Sequence, residues 1–185
     1  MAGSAAAALL GRQLKQMQTD KDIPGISCGL GDDNNIFEWE VMLMISDECK
    51  FYGGVARLSF PPEYPHLPPK MKFENSIFHP NSAFSSFFLP HKHSLILSPL
   101  VYPNGEVCIS ILHPPEEDKY GYESAAERWS PVQTPETILL SVISMLSSPN
   151  DESPANVEAA RLWREDPKEF KKRVRQCVRE SLGEE

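Results

Sequence analysis

Residues 55–73 read VARLSFPPEYPHLPPKMKF, and they predict two strands joined by a stiff loop. Ala56, Leu58 and Phe60 recur at every second position, so they lie on one face of a strand. Five prolines follow within nine residues, and they exclude regular structure because each lacks a backbone N–H and restricts its predecessor. Residues 70–73 then read as a short strand. The proline-rich stretch is therefore the connection between two neighbouring strands.

Two more strand-like segments precede this stretch, at 26–30 and 37–45, separated by clusters of Gly, Asp and Asn. The second begins FEWEV, with apolar residues at odd positions and charged residues at even ones, so one face is buried and the other is wet. A helix-prone segment, 4–18, comes before them. One helix followed by four consecutive strands predicts an antiparallel meander.

Three helical segments follow a long irregular region at 78–133. Thr134 is a good N-cap, and the residues after it form a broad apolar stripe, which predicts a core helix: Ile138, Leu139, Val142, Ile143 and Leu146. Residues 154–163 and 167–182 form the last two helices. The basic residues of the final helix fit either a docking patch or a solvated helix face, and the second is the simpler interpretation. The fold class is α+β, and residues 1–185 form a single domain.

Composition excludes several classes of protein. The net charge of -8 argues against a nucleic-acid binder, whose phosphate contacts require a basic surface. The four cysteines form no CxxC pair, and His91 and His93 have no nearby Cys or carboxylate, so we predict no metal site. No stretch reaches the eighteen or so uncharged apolar residues that a membrane span requires. The simplest expectation is a cytoplasmic protein with reduced thiols.

A set of linked motifs between residues 60 and 154 is very similar to the ubiquitin-conjugating enzymes. It comprises FPPEYP at 60–65 with PPK at 68–70, FHPN at 78–81, NGEVCISIL at 104–112, WSP at 129–131 and SPNDESP at 148–154. Such an ordered set is far more specific than any short pattern. An acidic stretch after the cysteine, within 113–127, resembles the loop of the class G enzymes. The resemblance implies their fold, with an N-terminal helix, a four-stranded meander and C-terminal helices.

The same resemblance implies that Cys108 carries ubiquitin as a thioester and passes it to a lysine. A thiol suits this chemistry because its thiolate is a strong nucleophile and also leaves readily. Asn81 is implied to stabilise the oxyanion of the tetrahedral intermediate or to order the active-site loop. For orienting and deprotonating the lysine, the resemblance offers His113, Glu117 and Asp118, although a solvated charge run explains the two acids equally well.

The family also implies partners. These are ubiquitin, an activating enzyme that consumes ATP upstream, a RING-type ligase and a membrane-bound recruiting protein, and no cofactor is expected to be bound. The resemblance to class G enzymes implies a role in the degradation of misfolded proteins at the cytosolic face of the endoplasmic reticulum. The residues implied to face the ligase and the activating enzyme lie on the first helix and two loops: Arg12, Lys15, His66, Leu67, Pro131 and Val132. Ordinary surface residues remain the alternative for them.

One departure from the family pattern stands out. Asn81 and Cys108 are 27 positions apart, whereas the family spacing is about eight, and deleting residues 82–100 restores an undisturbed family sequence. This 19-residue segment is either a retained intron or a genuine insertion that moves Asn81 away from Cys108 and weakens catalysis.

Two rival functions remain open at this point. The insertion favours a variant that binds ubiquitin or a ligase without catalysis, whereas the presence of Cys108 disfavours it. A cysteine hydrolase would require a base beside the thiol, for which His79 and His113 are candidates.

Overall fold

The computed structural model describes residues 2–19, 25–31, 34–44, 53–74, 77–82, 100–114 and 126–181. Its first half contains helix α1 (Ala2–Thr19) and strands β1 (Ile26–Leu30), β2 (Glu38–Met44), β3 (Gly53–Ser59) and β4 (Lys70–Phe73). A short 3-10 helix, Ser110–Leu112, precedes helices α2 (Pro135–Ser147), α3 (Val157–Glu165) and α4 (Pro167–Ser181). This order confirms the predicted α+β arrangement.

The four strands form one antiparallel sheet in the order β1-β2-β3-β4, which is a meander. The alternation in β2 determines which face is buried. Trp39, Val41 and Leu43 are at most 1% exposed, whereas Met42 and Met44 lie on the open face. In β3, Ala56 and Leu58 are buried on the same side as Val41 and Trp39, their register partners, so the alternation predicted for that strand is confirmed.

A series of packed aromatic rings extends the hydrophobic core from the sheet to the proline-rich loop. Ring centroids of Trp39 and Phe60 lie 4.9 Å apart, those of Phe60 and Tyr64 lie 5.1 Å apart, and those of Tyr64 and Trp129 lie 5.9 Å apart. The indole N–H of Trp129 donates to the Pro65 carbonyl at 2.9 Å. The loop at 61–69 is thereby fixed against the segment that precedes α2.

Helix α2 begins as the sequence predicted. The Thr134 hydroxyl accepts from the Thr137 N–H and the Thr137 hydroxyl accepts from the Thr134 N–H, which satisfies two helix-end donors reciprocally. The predicted stripe packs into the core through residues that are fully buried: Ile138, Leu139, Val142 and Leu146.

Helix α3 begins at Val157, three residues after the predicted start at Pro154. Asn156 is the N-cap, because its side-chain oxygen accepts from the Ala159 N–H at 3.0 Å. Helix α4 packs beside it through Phe170, whose ring lies 5.2 Å from that of Trp163 and 5.5 Å from that of Phe78. Of the basic residues on α4, Lys172 and Arg173 pair with glutamates at the surface.

Within the described residues, no helix combines the length and the apolar character that crossing a membrane would require.

Two adjacent leucines on α2 test the importance of the buried stripe. Leu139 is fully buried, and Leu140 is 46% exposed. We expect Leu139→Ala to lower the free energy of unfolding by about 2–5 kcal/mol, because it leaves a cavity in the core. Leu140→Ala, the matched control, should cost less than about 1 kcal/mol. Urea unfolding followed by circular dichroism measures both, and equal losses would contradict this account of the core.

Candidate active site

A small hairpin positions Cys108. Val101 and Val107 pair across it in an antiparallel bridge, and the Cys108 N–H donates to the Leu100 carbonyl at 2.8 Å. Both valines are buried, at 1% and 6% exposure, so they anchor the hairpin in the core. Cys108 is half-buried and lies at the end of the second arm. Its sulfur is therefore held on a rigid element while remaining partly open to solvent.

The turn of this hairpin is packed against the edge of the sheet. The Phe73 N–H donates to the Gly105 carbonyl at 2.9 Å, and the Val107 N–H donates to the Met71 carbonyl at 2.9 Å. Gly105 has a φ of +86°, and a Cβ at this position would collide with the Phe73 carbonyl. Only glycine meets both conditions, so the glycine in NGEVC is required for the close approach.

The side chain of His113 contacts the sulfur of Cys108. His113 Nε2 lies 3.3 Å from Cys108 Sγ, within hydrogen-bond distance. Tyr102 belongs to the same environment, since interaction with Cys108, burial and charge on Glu106 raise the pKa of its phenol. The structure thus brings the predicted His113 to the thiol and indicates that Tyr102, which the motifs did not identify, lies near it.

The 3-10 helix after Cys108 brings His113 to this place. The His113 N–H donates to the Ser110 carbonyl at 2.9 Å, which closes the turn. The Trp129 N–H donates to the His113 carbonyl at 3.1 Å, so both ends of the acidic stretch are joined at the active site. Glu117 and Asp118 lie outside the described residues.

The HPN motif is buried, and its asparagine is bound to the loop after α2. Asn81 is 6% exposed. Its amide nitrogen donates to the Asn150 carbonyl at 2.8 Å, and its amide oxygen accepts from the Asn150 N–H at 2.9 Å. Both ends of the amide are engaged by one residue, an arrangement suited to ordering the loop.

His79 lies beneath Asn81 in the interior. Its Nδ1 accepts from the Asn81 N–H at 3.1 Å, and the ring is fully buried. Burial lowers the pKa of His79 from 6.5 to about 4, partly opposed by hydrogen bonds with the backbone of Leu146 and Met145. The ring is therefore neutral at physiological pH and serves as a structural acceptor, which makes it unsuited to act as the base of a hydrolase.

The edges of the segment 82–100 are close together. The Asn81 carbonyl accepts from the Leu100 N–H at 2.9 Å and from the Val101 N–H at 3.4 Å, and Ser82 pairs with Val101 in a parallel bridge. Residues 83–99 lie outside the described residues. The HPN motif and the cysteine hairpin are thus joined directly by backbone hydrogen bonds.

The residues predicted to face partner proteins are exposed on three neighbouring elements. Arg12 and Lys15 are exposed on α1, and Arg12 borders a groove of about 360 Å³ between α1 and the start of α2. The Tyr64 hydroxyl donates to the Gln13 side chain at 3.0 Å, which connects α1 to the loop at 61–69. On the loops, His66, Leu67 and Pro131 are exposed, and Val132 is 82% exposed.

The other described cysteines differ from Cys108. Burial raises the pKa of the Cys28 thiol to about 11, and it also raises that of Cys177. Cys28 belongs to the core, and Cys177 packs against it, as predicted for small apolar residues. Among the described residues, no group of three or more His, Cys, Asp or Glu side chains is arranged to hold a metal ion.

Comparison with known proteins identifies the family. A sequence model described as "Ubiquitin-conjugating enzyme" matches residues 9–85 and 91–178. The chain belongs to the ubiquitin-conjugating enzyme family. The interruption of the match, at 86–90, falls within the atypical segment 82–100. Members of this family are transferases, so the chain is assigned to a family of enzymes.

Similarity to individual relatives indicates which class of ubiquitin-conjugating enzyme the chain resembles. The chain is 57% identical over 185 residues to ubiquitin-conjugating enzyme E2 15 of Schizosaccharomyces pombe, with 98% of each chain covered. It is 47% identical over 185 residues to ubiquitin-conjugating enzyme E2 G2 of Homo sapiens, with 99% of each covered. The solved structure of human ubiquitin-conjugating enzyme E2 G1 superposes with a TM-score of 0.57 at 39% identity, covering 78% of this chain and 96% of that one. The class G type predicted from the motifs is confirmed.

Two glycines of this conjugating enzyme test the fit of the hairpin turn. We expect Gly105→Ala to lower the free energy of unfolding by about 1–3 kcal/mol, because the new Cβ meets backbone and φ is positive. A Cβ added at Gly11, inside α1, would meet nothing within 4 Å. Gly11→Ala should therefore stabilise the protein by about 0.5–1 kcal/mol. Thermal unfolding measures both changes, and a neutral Gly105→Ala would contradict the packing described for the turn.

The buried His79 predicts a pH dependence of stability. Below pH 6.5 the unfolded chain gains a proton on this ring, whereas the folded chain gains it only near pH 4, so stability falls as the pH decreases through this window. Between pH 7 and pH 5 the expected contribution is a loss of about 2 kcal/mol in the free energy of unfolding. His79→Asn retains an acceptor near the Asn81 N–H but does not titrate, so it should show a smaller decline.

Urea unfolding at pH 7, 6 and 5 measures this dependence. The exposed His66, changed to Gln, serves as the control and should retain the wild-type decline. An identical decline in wild type and His79→Asn would exclude His79 as its origin.

Proposed function

We propose that this enzyme accepts ubiquitin as a thioester on Cys108 and transfers it to a lysine of a substrate or a growing chain, together with a RING-type ligase. The observation that carries the proposal is the half-buried sulfur of Cys108, held at the end of a rigid hairpin with His113 Nε2 at 3.3 Å. A partly open thiol can meet both the ubiquitin C-terminus and an incoming amine. The Cys28 thiol is buried, and burial raises the pKa of the half-buried Cys177 thiol, so neither is as well suited to act as the nucleophile.

The geometry supports different roles for the neighbouring residues. His113 is close enough to Cys108 to orient an incoming lysine or to accept its proton. Glu117 and Asp118 are proposed to assist from the acidic loop, whose ends meet at His113 and Trp129. Asn81 is proposed to order the loop that carries Asn150, because both ends of its amide are engaged there. An oxyanion role would require the amide to leave Asn150.

The partner surface is proposed to consist of Arg12 and Lys15 on α1 together with His66, Leu67, Pro131 and Val132 on the two loops. Leu67 and Val132 are exposed apolar side chains, one on each loop, and contiguous exposed apolar surface is typical of an interaction site. The Trp129 to Pro65 hydrogen bond holds the two loops in a fixed relation, so His66, Leu67, Pro131 and Val132 form one preorganised surface. We propose that the activating enzyme, which uses ATP, and the ligase bind here.

The class G relationship supports a cellular role in the degradation of misfolded proteins. On this proposal the enzyme is cytoplasmic and acts at the cytosolic face of the endoplasmic reticulum, where a membrane-bound partner recruits it. No cofactor is proposed, because thioester exchange and aminolysis require only the thiol and polar groups near it.

A cysteine hydrolase is a second candidate, favoured by the Cys108 to His113 contact, since hydrolases use such pairs. The two functions differ in what releases ubiquitin from the sulfur. A conjugating enzyme retains its adduct until an amine arrives, whereas a hydrolase releases it to water at the same rate with or without added lysine.

A charging assay tests the proposal. The purified chain, ubiquitin, an activating enzyme and ATP should give an adduct that a reducing agent removes and that free lysine discharges. Cys108→Ala should abolish the adduct, because Cys28 is buried and the half-buried Cys177 has a pKa raised by burial, whereas Cys177→Ala, the matched control, should retain the adduct. An adduct that persists in Cys108→Ala, or no adduct on the wild-type chain, would contradict the proposed function.

A further inference from the structure

We propose that the outer face of helix α4 binds an acidic segment of a partner protein through a row of four cations, Lys168, Lys172, Arg175 and Arg179. All four side chains are exposed, and together they form the basic stripe of the molecule. The sequence alone fits both a docking patch and a solvated helix face at this position. The inference goes beyond the proposed function and does not depend on it.

The helical repeat places the four cations in one row. Successive members of the basic stripe are three or four positions apart, and residues with this spacing are neighbours on the surface of a helix. The row extends along α4 for about 16 Å. The acidic residues of this helix, Glu169 and Glu180, fall to one side of the row, and the fully buried Phe170 and Val174 lie on the opposite face. The outer surface of α4 is therefore purely basic along the stripe.

The basic stripe differs from the other basic groups on α3 and α4 in its ion pairing. Three arginines outside the stripe each pair with a carboxylate, at distances between 3.3 and 3.7 Å: Arg161, Arg164 and Arg173. Within the stripe, Lys172 has Glu169 at 3.3 Å. Lys168, Arg175 and Arg179 make no ion pair with any residue that the structure describes. These three charges are open to an external partner.

Gathering these charges in one row opposes folding. Like charges three or four residues apart on a helix repel, and Lys168 lies in the first turn, where the helix dipole disfavours a cation. The chain has 26 acidic and 18 basic residues, so carboxylates that could neutralise the row are not scarce. A bound acidic segment would relieve the repulsion and would add charge-assisted hydrogen bonds. This relief favours a docking surface over a merely solvated face.

The size and charge of this surface favour a short acidic peptide segment over a large polyanion. An extended segment rises about 3.3 Å per residue, so about five or six residues match the length of the row. The chain as a whole carries a net charge of -8, which repels a membrane or a nucleic acid that extends past the stripe. A short segment contacts the stripe alone. Its Asp and Glu carboxylates also suit Arg175 and Arg179, because a guanidinium can bind a carboxylate through two parallel hydrogen bonds.

A peptide titration followed by NMR tests this inference on the full chain. The probe is a peptide of alternating Glu and Ser, added to the isotopically labelled protein at low ionic strength, and a Gln and Ser peptide of equal length is its control. The Glu peptide should shift amide signals of α4, and added salt should weaken its binding. A stripe variant that combines Lys168→Gln, Arg175→Gln and Arg179→Gln should bind it about tenfold more weakly, because three exposed ion pairs are lost.

A control variant removes the same charge from the open face of the sheet, where Arg57, Lys70 and Lys72 are exposed. With these three changed to Gln, binding should stay within about twofold of wild type. Without peptide, the Tm of the stripe variant should equal or exceed that of wild type because its repulsion is gone, which separates lost binding from lost folding.

Three results would overturn the inference. The first is the absence of a response to the Glu peptide, or a response that maps outside α4. The second is equal weakening in the stripe variant and the control variant, which would show that net charge alone is responsible. The third is binding to mixed phosphatidylcholine and phosphatidylserine vesicles that the stripe variant loses, without a response to the peptide, since the partner would then be a membrane surface.

Discussion

The carbonyl of Asn81 is the point on which the active site depends. It accepts hydrogen bonds from the N–H groups of Leu100 and Val101, and the Leu100 carbonyl accepts in turn from the Cys108 N–H. These three bonds connect the HPN motif to the cysteine across an intervening segment of chain. Because the free energy of closing a loop grows only slowly with its length, a junction of this kind can tolerate extra residues. The position of the nucleophile is then independent of how many residues separate the two motifs.

The two histidines, His79 and His113, differ in their burial and in the groups that they contact. His79 lies in the interior, neutral, with one ring nitrogen bound to the backbone of Asn81. His113 is half-buried, directly follows the 3-10 helix and contacts the sulfur. The first maintains the scaffold, and the second is proposed to assist transfer at the sulfur. Among the thiols, burial raises the pKa of Cys28 and Cys177, and Cys28 is fully buried whereas Cys108 is half-buried.

Much of the fold could be predicted because its signals are local. The two-residue alternation of β2 and the cap at Thr134 depend on residues close in sequence, and both were confirmed. The start of α3 was predicted three residues early, because Pro154 resembles a first-turn residue while the cap that decides the boundary is Asn156. Tyr102 was missed because its relation to Cys108 appears only after the register of the hairpin is known. Glu117 and Asp118 remain predictions from resemblance alone.

The most direct test compares ubiquitin charging of the full chain with charging of a variant lacking residues 83–99, which retains Ser82 and Leu100. If the bonds at Asn81 hold the site together, the two rates should agree within about threefold, since the residues that make these bonds are present in both. A full chain that charges about 100-fold more slowly than the shortened one would show that the segment displaces the catalytic groups, and would contradict the account.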